Sequence, residues 1–456
     1  MAAIPVIYPP SSADNSEGIY QPFRNRHFPD MTQKRLQEIS VMKKFGLINT
    51  IAAVLVLQTS GLYAATVFSG YAGGKVNYSA GNSGSDTSAY DPDLKLQAFF
   101  AGQFNFSKNI WGHLEFSIDT GDLLSRKFFS GVDSKFKVDE VSMTFRNQTE
   151  QTSNYLSVFM GTYDPIGSDV FLQRYFGITP ISSKITESWL GLSGSILYPH
   201  FGAGVADVLM LHTQPLAGGL YVYLNNEQSD DDSSAEYFML NTDIRFACSF
   251  RYLTVDFATG LGIPLKDKYN GADVFVVVDT IYWHMGTTLL AGNNYTNSFF
   301  MQAGLFNGSF TKLGNSMTLN PEHLYLLAEP RFLLGNSHLN ISLFSLPSDT
   351  AGNLLLLSRE DTFGIDMNMY CESLFIGSKL CTVGTHVTAT LPGKHITDIG
   401  DMQNLLSNGV NVNLTPYLSM NFLSGELHTQ FQIKFSQFAR SWYNAFAVDI
   451  GYRTRF

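Results

Sequence analysis

The chain has 456 residues, a formal net charge of −10, 45% hydrophobic residues and only 15% charged ones, where an ordinary soluble domain carries about 25% charged. The acidic balance excludes a nucleic-acid binder, whose contact surface is basic, and 36 Phe with 22 Tyr exclude a disordered chain. A mean hydropathy of +0.00 without apolar runs of about 20 residues in the body of the chain excludes a multi-span helical membrane protein, and leaves strands that alternate apolar and polar positions.

The first segment with a clear purpose is Met42-Lys43-Lys44, followed by an apolar stretch from Phe45 to Leu57 and then Gln58-Thr59-Ser60-Gly61-Leu62-Tyr63-Ala64-Ala65. A basic start, a short apolar centre and a small-residue end are the parts of an export signal. Residues 42–64 are therefore expected to be a signal peptide, cleaved after Ala64 or Ala65. Residues 1–41 precede the basic start and are polar and Pro-rich. They are expected to be an upstream-start artefact or a disordered tail, the alternative being a cytoplasmic tail on a signal anchor. Residues 65–456 form the mature domain, with 23 basic against 35 acidic side chains, a net of −12. That balance favours cations or neutral solutes.

Period-two alternation begins in the mature chain and persists to its end. Leu94, Leu96, Ala98, Phe100, Phe104 and Phe106 share one face, and Lys95, Gln97, Gln103 and Asn105 the other. Ile110, Gly112, Leu114, Phe116 and Ile118 oppose His113, Glu115, Ser117 and Asp119. Near the C-terminus Leu427, Phe431, Ile433 and Phe435 oppose His428, Gln430, Gln432 and Lys434, and Phe446, Val448, Ile450, Tyr452 and Phe456 oppose Asp449, Arg453 and Arg455. Strands of about ten residues or more with aromatic-rich apolar faces indicate an all-β, transmembrane antiparallel β-barrel. An exported soluble sandwich is the alternative, since it alternates too. Short and long connections alternate along the chain. Nineteen candidate strands with both termini on one side clash in parity, so Ser188–Leu197 is assigned to a long third loop spanning Asp164–Gly202. About 16 strands are expected, within a range of 14–18.

The chemistry-bearing residues fall on the polar faces. Lys95, His113, Glu115, Asp119, Asp243, Arg245, Glu329, Arg331, Lys434 and Arg453 are expected to line the pore, with Asp256, Asp366, His386 and Asp449 on the same faces. Opposite charges across a wet lumen set a selectivity filter, or else form ion pairs that stiffen a closed wall. If the third loop folds inward, Asp164, Asp169 and Arg174 line a constriction; otherwise it lies on the surface. Ser229–Ser234 contains three consecutive aspartates, which could hold a divalent cation or form a solvated loop tip. Trp111, Trp283, Trp442, Tyr443 and Tyr452 suit an aromatic girdle. Cys371 and Cys381 flank a turn and are either a cross-strand disulfide or two lipid-facing thiols; Cys248 has no evident partner. G-x-S-x-G, H-E-x-x-H, the P-loop and metal-ligand His spacing do not occur, so neither enzymatic activity nor a cofactor or metal is expected.

The end of the chain, Phe446 to Phe456, resembles the terminal strand of Gram-negative outer-membrane proteins. The matching positions are Val448, Ile450, Tyr452 and the final Phe456. The resemblance implies that these four are the signal read by the barrel-assembly machinery, and that the chain is exported to the outer membrane among its lipids. Val158-Phe-Met-Gly-Thr-Tyr-Asp-Pro-Ile-Gly167 is similar to the porin phrase that leads from a strand into a loop. Porin-like membership implies passive uptake of small hydrophilic nutrients, often by a homotrimer. The long-chain fatty-acid transporter family is the alternative, although the mature chain opens on a strand at Thr66 to Lys75 rather than on that family's helical hatch. A surface adhesin or structural barrel is the third reading.

Overall fold

The computed structural model describes residues 67–456 apart from 81–91, 125–134, 179–180, 187–200, 229–235, 266–267, 270–271, 274–279, 294, 312–320, 355, 378, 401–405, 407–408 and 439–440. The signal segment, the acidic run at 229–234 and the candidate strand Ser188–Leu197 lie outside these residues.

Eighteen strands close into one antiparallel barrel. In chain order they are β1 Val67–Ser79, β2 Asp93–Ser107, β3 Ile110–Asp122, β4 Lys135–Gln148, β5 Thr152–Thr162, β6 Phe201–Leu211, β7 Leu216–Gln228, β8 Glu236–Phe250 and β9 Leu253–Leu265. They continue with β10 Thr280–Ala291, β11 Ser298–Thr311, β12 Leu324–Leu334, β13 Ser337–Ser345, β14 Phe363–Ile376, β15 Lys379–Leu391, β16 Asn411–Phe422, β17 Gly425–Lys434 and β18 Phe446–Arg455. Each strand pairs with its sequence neighbour. β1 then pairs with β18, from Tyr71 opposite Arg455 to Ser79 opposite Ala447, and so removes the last open edge. The count is the upper limit of the expected range, because none of the neighbouring segments merges into one strand. β5 pairs directly with β6, Thr162 opposite Phe201, so any residue between them is outside the wall.

Connections of two to six residues alternate with connections of seven to 38 residues. Both ends of the barrel chain lie on the short-turn side. The alternation follows from the even strand count and is the pattern of membrane barrels.

Burial separates a sandwich from a membrane barrel. Leu156, Val158 and Met160 on β5, Ile244 and Phe246 on β8, and Ile365, Met367 and Met369 on β14 point outward and are exposed. Their inward neighbours Ser157, Asp243, Arg245, Asp366 and Asn368 are buried. In water this inversion would cost about 25 cal/mol for every Å² of exposed apolar surface. Against lipid that surface costs nothing, and the polar groups pair inside. The wall is a transmembrane β-barrel, and the largest apolar cluster lies within it rather than between two sheets.

Two local departures are explained by backbone geometry. Cys371 faces Val383 and Cys381 faces Leu374 across a register shift, with Ser373 at φ 61. The extra residues there separate the two sulfurs' positions, and all three cysteines are free thiols. Trp111 has inward parity and meets Tyr155 edge-on at 6.0 Å, so it does not join an outer girdle. Trp442, in contrast, is exposed on a loop.

Candidate functional site

The third long connection enters the barrel. Gly161, Asp164 and Gly167 have φ of 104°, 43° and 86°. Three left-handed residues in seven turn the chain back between its own walls. A side chain at Gly161 would overlap the Asp139 carbonyl, so the first of these turns requires glycine. The helix α1, Val170–Phe176, follows and stops at left-handed Gly177, whose N–H donates to Gln173 O at 3.0 Å. Tyr163, Ile166, Phe171, Leu172, Tyr175, Ile181 and Ile185 are buried in one cluster with the wall residues Tyr221, Tyr223, Phe300, Tyr325 and Phe344. Those wall residues come from β7, β11, β12 and β13.

Hydrogen bonds, most of them to or from a charged group, tie the inserted segment to the wall. Arg174 donates from Nη1 to Asp164 Oδ1 at 2.7 Å and from Nη2 to both oxygens of Glu140 at 3.0 Å, with its guanidinium 4.6 Å above the Tyr163 ring. Tyr175 and Tyr221 donate to Asp164 Oδ2 at 3.2 and 3.0 Å. Arg245 holds the Asp164 carbonyl at 2.5 Å and the two oxygens of Asp256 at 2.8 and 2.5 Å. Gln302 Nε2 donates to the Gly167 carbonyl at 2.6 Å. Farther along, Arg331 donates to the carbonyls of Ile181 and Ser182 at 2.9 and 3.2 Å and to Glu329 at 2.7 Å, and the Ser183 hydroxyl donates to Glu329. Such contacts are strong because they are charge-assisted and shielded from bulk water.

Asp169, before α1, accepts from the backbone N–H of Ile181 and Ser182 at 2.9 and 3.0 Å and from the Ser182 hydroxyl at 2.9 Å. Burial pushes its carboxyl up to about 6, against those hydrogen bonds and the charge of Arg331, which pull it down. Asp164 and Arg174 thus meet, while Asp169 sits apart and ties the helix to the turn after it.

The expected pore-lining residues divide into three groups. Arg245, Glu329 and Arg331 meet the inserted segment, and Glu329 also accepts from Ser342 at 2.5 Å, whereas Asp243 stays within the wall, where it accepts from Tyr223 at 2.9 Å and pairs with His284 Nε2 at 2.9 Å. Lys95, Asp119 and Lys434 instead line a cavity of about 350 Å³ together with Lys75, Asp93 and Asp449. Arg453 lines a second cavity of about 120 Å³ with Glu426, His386 and His428. His113 and Glu115 are paired at 3.5 Å on β3 beyond both linings.

A second loop also turns inward. Leu346, Ala351, Leu356 and Leu357 around the helix α2, Ser348–Asn353, join the interior cluster, and Gln432 donates to the Leu356 carbonyl at 2.9 Å. The buried cluster of the two insertions packs against wall residues of β5 to β13, and Leu354, Leu356 and Leu357 of the second also border the cavities. The cavities lie along β1 to β3 and β14 to β18. β17 orders them: Lys434 and Gln432 line the larger one at the long-loop end, Glu426 and His428 the smaller one at the short-turn end, and Gln430 lines both.

No protein-family model matches this chain, and no curated protein matches it. It is similar to solved outer-membrane barrels. The Salmonella typhi OmpF complex with daunomycin is 10% identical, with a TM-score of 0.37, over 86% of this chain and 97% of that one. A mutant of the Rh. blastica porin is 10% identical, with a TM-score of 0.34, over 86% and 100%. Wzi, described as a carbohydrate-binding β-barrel involved in group 1 capsule assembly in Escherichia coli, is 11% identical, with a TM-score of 0.40, over 89% and 87%.

Attention to charged residues alone passes over much of this interior. Glu140, Tyr163, Tyr221, Tyr223, Gln302 and Gln430 hold the insertion or line the cavities. The wall members among them share the inward parity of Asp243 and His428, so period two marks them. Which of them meet the loop depends on where the loop goes, and no periodicity records that.

Proposed function

We propose that this protein is an outer-membrane channel through which small hydrophilic nutrients diffuse. The observation that carries this reading is a pair of cavities that share Gln430 in their linings and lie one after the other along one side of the barrel, the larger towards the long-loop end and the smaller towards the short-turn end. The inserted segment with Asp164, Asp169 and Arg174 acts as the constriction by occupying the other side. Arg245, Glu329 and Arg331 hold it there, and Lys95, Asp119, Lys434 and Arg453 line the path. The basic and apolar start at 42–57 and the terminal strand ending in Phe456 support export and insertion in the outer membrane.

A long-chain fatty acid would need a continuous apolar lining for its tail. Lysine, aspartate and glutamine side chains dominate the larger cavity, which favours water-soluble solutes. Refolded protein in a planar bilayer is expected to give discrete conductance steps. Gln430→Trp, which places a bulky ring at the residue both linings share, is expected to reduce the step several-fold. An unchanged step in the tryptophan variant would mean that solute does not follow this path. A silent wild-type bilayer combined with tight fatty-acid binding would transfer the reading to the lipid transporters.

A further inference from the structure

We infer that the path is electrically balanced and selects electroneutral polar solutes, uncharged or zwitterionic, rather than ions of one sign. The inference rests on the channel reading and adds the class of solute. Among the described residues, the larger cavity is lined by three cations, Lys75, Lys95 and Lys434, and three anions, Asp93, Asp119 and Asp449. The smaller one is lined by Lys184 and Arg453 against Glu372 and Glu426. The formal total is zero in each, although the mature chain carries −12. The acidic excess therefore lies outside the described linings of the two cavities.

The pairing inside the cavities strengthens the balance. Lys95 reaches Asp93 at 2.6 Å, Lys75 reaches Asp449 at 3.8 Å and Arg453 reaches Glu426 at 2.7 Å. Paired charges present short-range dipoles to a passing solute, and their fields cancel within a few ångströms. In the larger cavity two groups escape this arrangement. Asp119 is bound by neutral donors, Gln97 Nε2 at 2.7 Å and the Gly121 N–H at 3.0 Å. Lys434, among the described residues, has no carboxylate at ion-pair distance and only feels Asp361 electrostatically. One unspent anion and one unspent cation face the same cavity. This combination suits a solute with both signs or neither, and gives an ion of either sign one attraction and one repulsion.

The geometry is also too small for large solutes. A cavity of about 350 Å³ is at the low end of sites that hold a drug-sized ligand, so the solute is of monosaccharide or amino-acid size.

The test is the reversal potential of single channels of the full mature barrel in a KCl gradient. The expected potassium-to-chloride permeability ratio is within about twofold of unity. Lys434→Gln should raise the ratio and Asp119→Asn should lower it, each by several-fold. Liposome swelling gives a second readout: glycine and glycerol should enter at comparable rates, and potassium acetate and ethanolammonium chloride no faster. A wild-type ratio more than about tenfold from unity, or variants that leave it unmoved, overturns the electroneutral filter while the channel itself stands. Absence of both conductance and swelling instead defeats the channel reading and the inference with it.

Discussion

Arg174 bridges two buried carboxylates inside the barrel. Its two buried carboxylate partners, Glu140 and Asp164, are 1% and 0% exposed. Truncation to alanine leaves both without a cation, a situation that typically costs about 3–5 kcal/mol. Arg174→Ala is expected to lower the thermal midpoint of the detergent-folded barrel and to give noisier, larger conductance as the segment leaves its seat. A variant with wild-type melting and a quiet trace would show that the pair contributes nothing. Gly260 tests the wall at the same scale. A Cβ there would overlap the Asp243 carboxylate and come within 2.7 Å of His284 Nε2. Gly260→Ala is expected to cost about 1–3 kcal/mol by overpacking, read as loss of the compact, heat-modifiable gel band. At this scale the sequence was partly legible. Parity placed Arg245 and Asp243 inside, but a glycine kept small for a neighbour's carboxylate leaves no trace in spacing.

The inserted segment is the element whose behaviour depends on pH. The Asp169 carboxyl is pushed up to about 6 when seated, against about 3.9 in an unfolded chain. The seated form therefore binds more protons between those values, and seating is strengthened at low pH and weakened as pH rises through the window. Channels are expected to show fewer opening excursions at pH 4.5 than at pH 7.5, and Asp169→Asn should remove that difference. Persistence of the full difference in the asparagine variant would place the titration elsewhere. The terminal strand is the second element of interest. Phe456 lies 5.2 Å from Phe68 and 5.9 Å from Phe100, ring to ring, so the residue that follows β18 joins the outer aromatic surface of β1 and β2. Phe456→Ala removes these contacts, worth about 0.5–1.5 kcal/mol per pair. It is expected to slow folding into lipid vesicles measurably, with the final barrel retained. The strands themselves were the most legible elements, because a two-residue repeat with exposed outer and buried inner faces is imposed residue by residue. The inward course of the third loop was not legible, because its apolar residues follow no period and could equally cover a surface.

For the whole molecule, the low overall charge and neutral hydropathy reflect two opposed faces. Outward apolar side chains meet lipid, and inward polar ones meet each other, the inserted loops and the path. Closure through β1 and β18 makes this a cooperative object, so a heat-modifiable gel shift after detergent refolding is expected. Replacing residues 164–186 with a short flexible linker should multiply the conductance several-fold, because it empties the blocked side of the lumen. The sequence by itself determined the alternation of faces, the strand-rich barrel and the inward position of most charged residues, since these follow from local periodicity and from turn residues near in sequence. Only the tertiary structure decided which inward charges hold the inserted segment and which line the path, and that the path is balanced. Those assignments arise between residues such as Arg174 and Glu140, or Arg331 and Ile181, brought together across the lumen from distant strands and a loop, and contacts of that kind are set by closure rather than by sequence spacing.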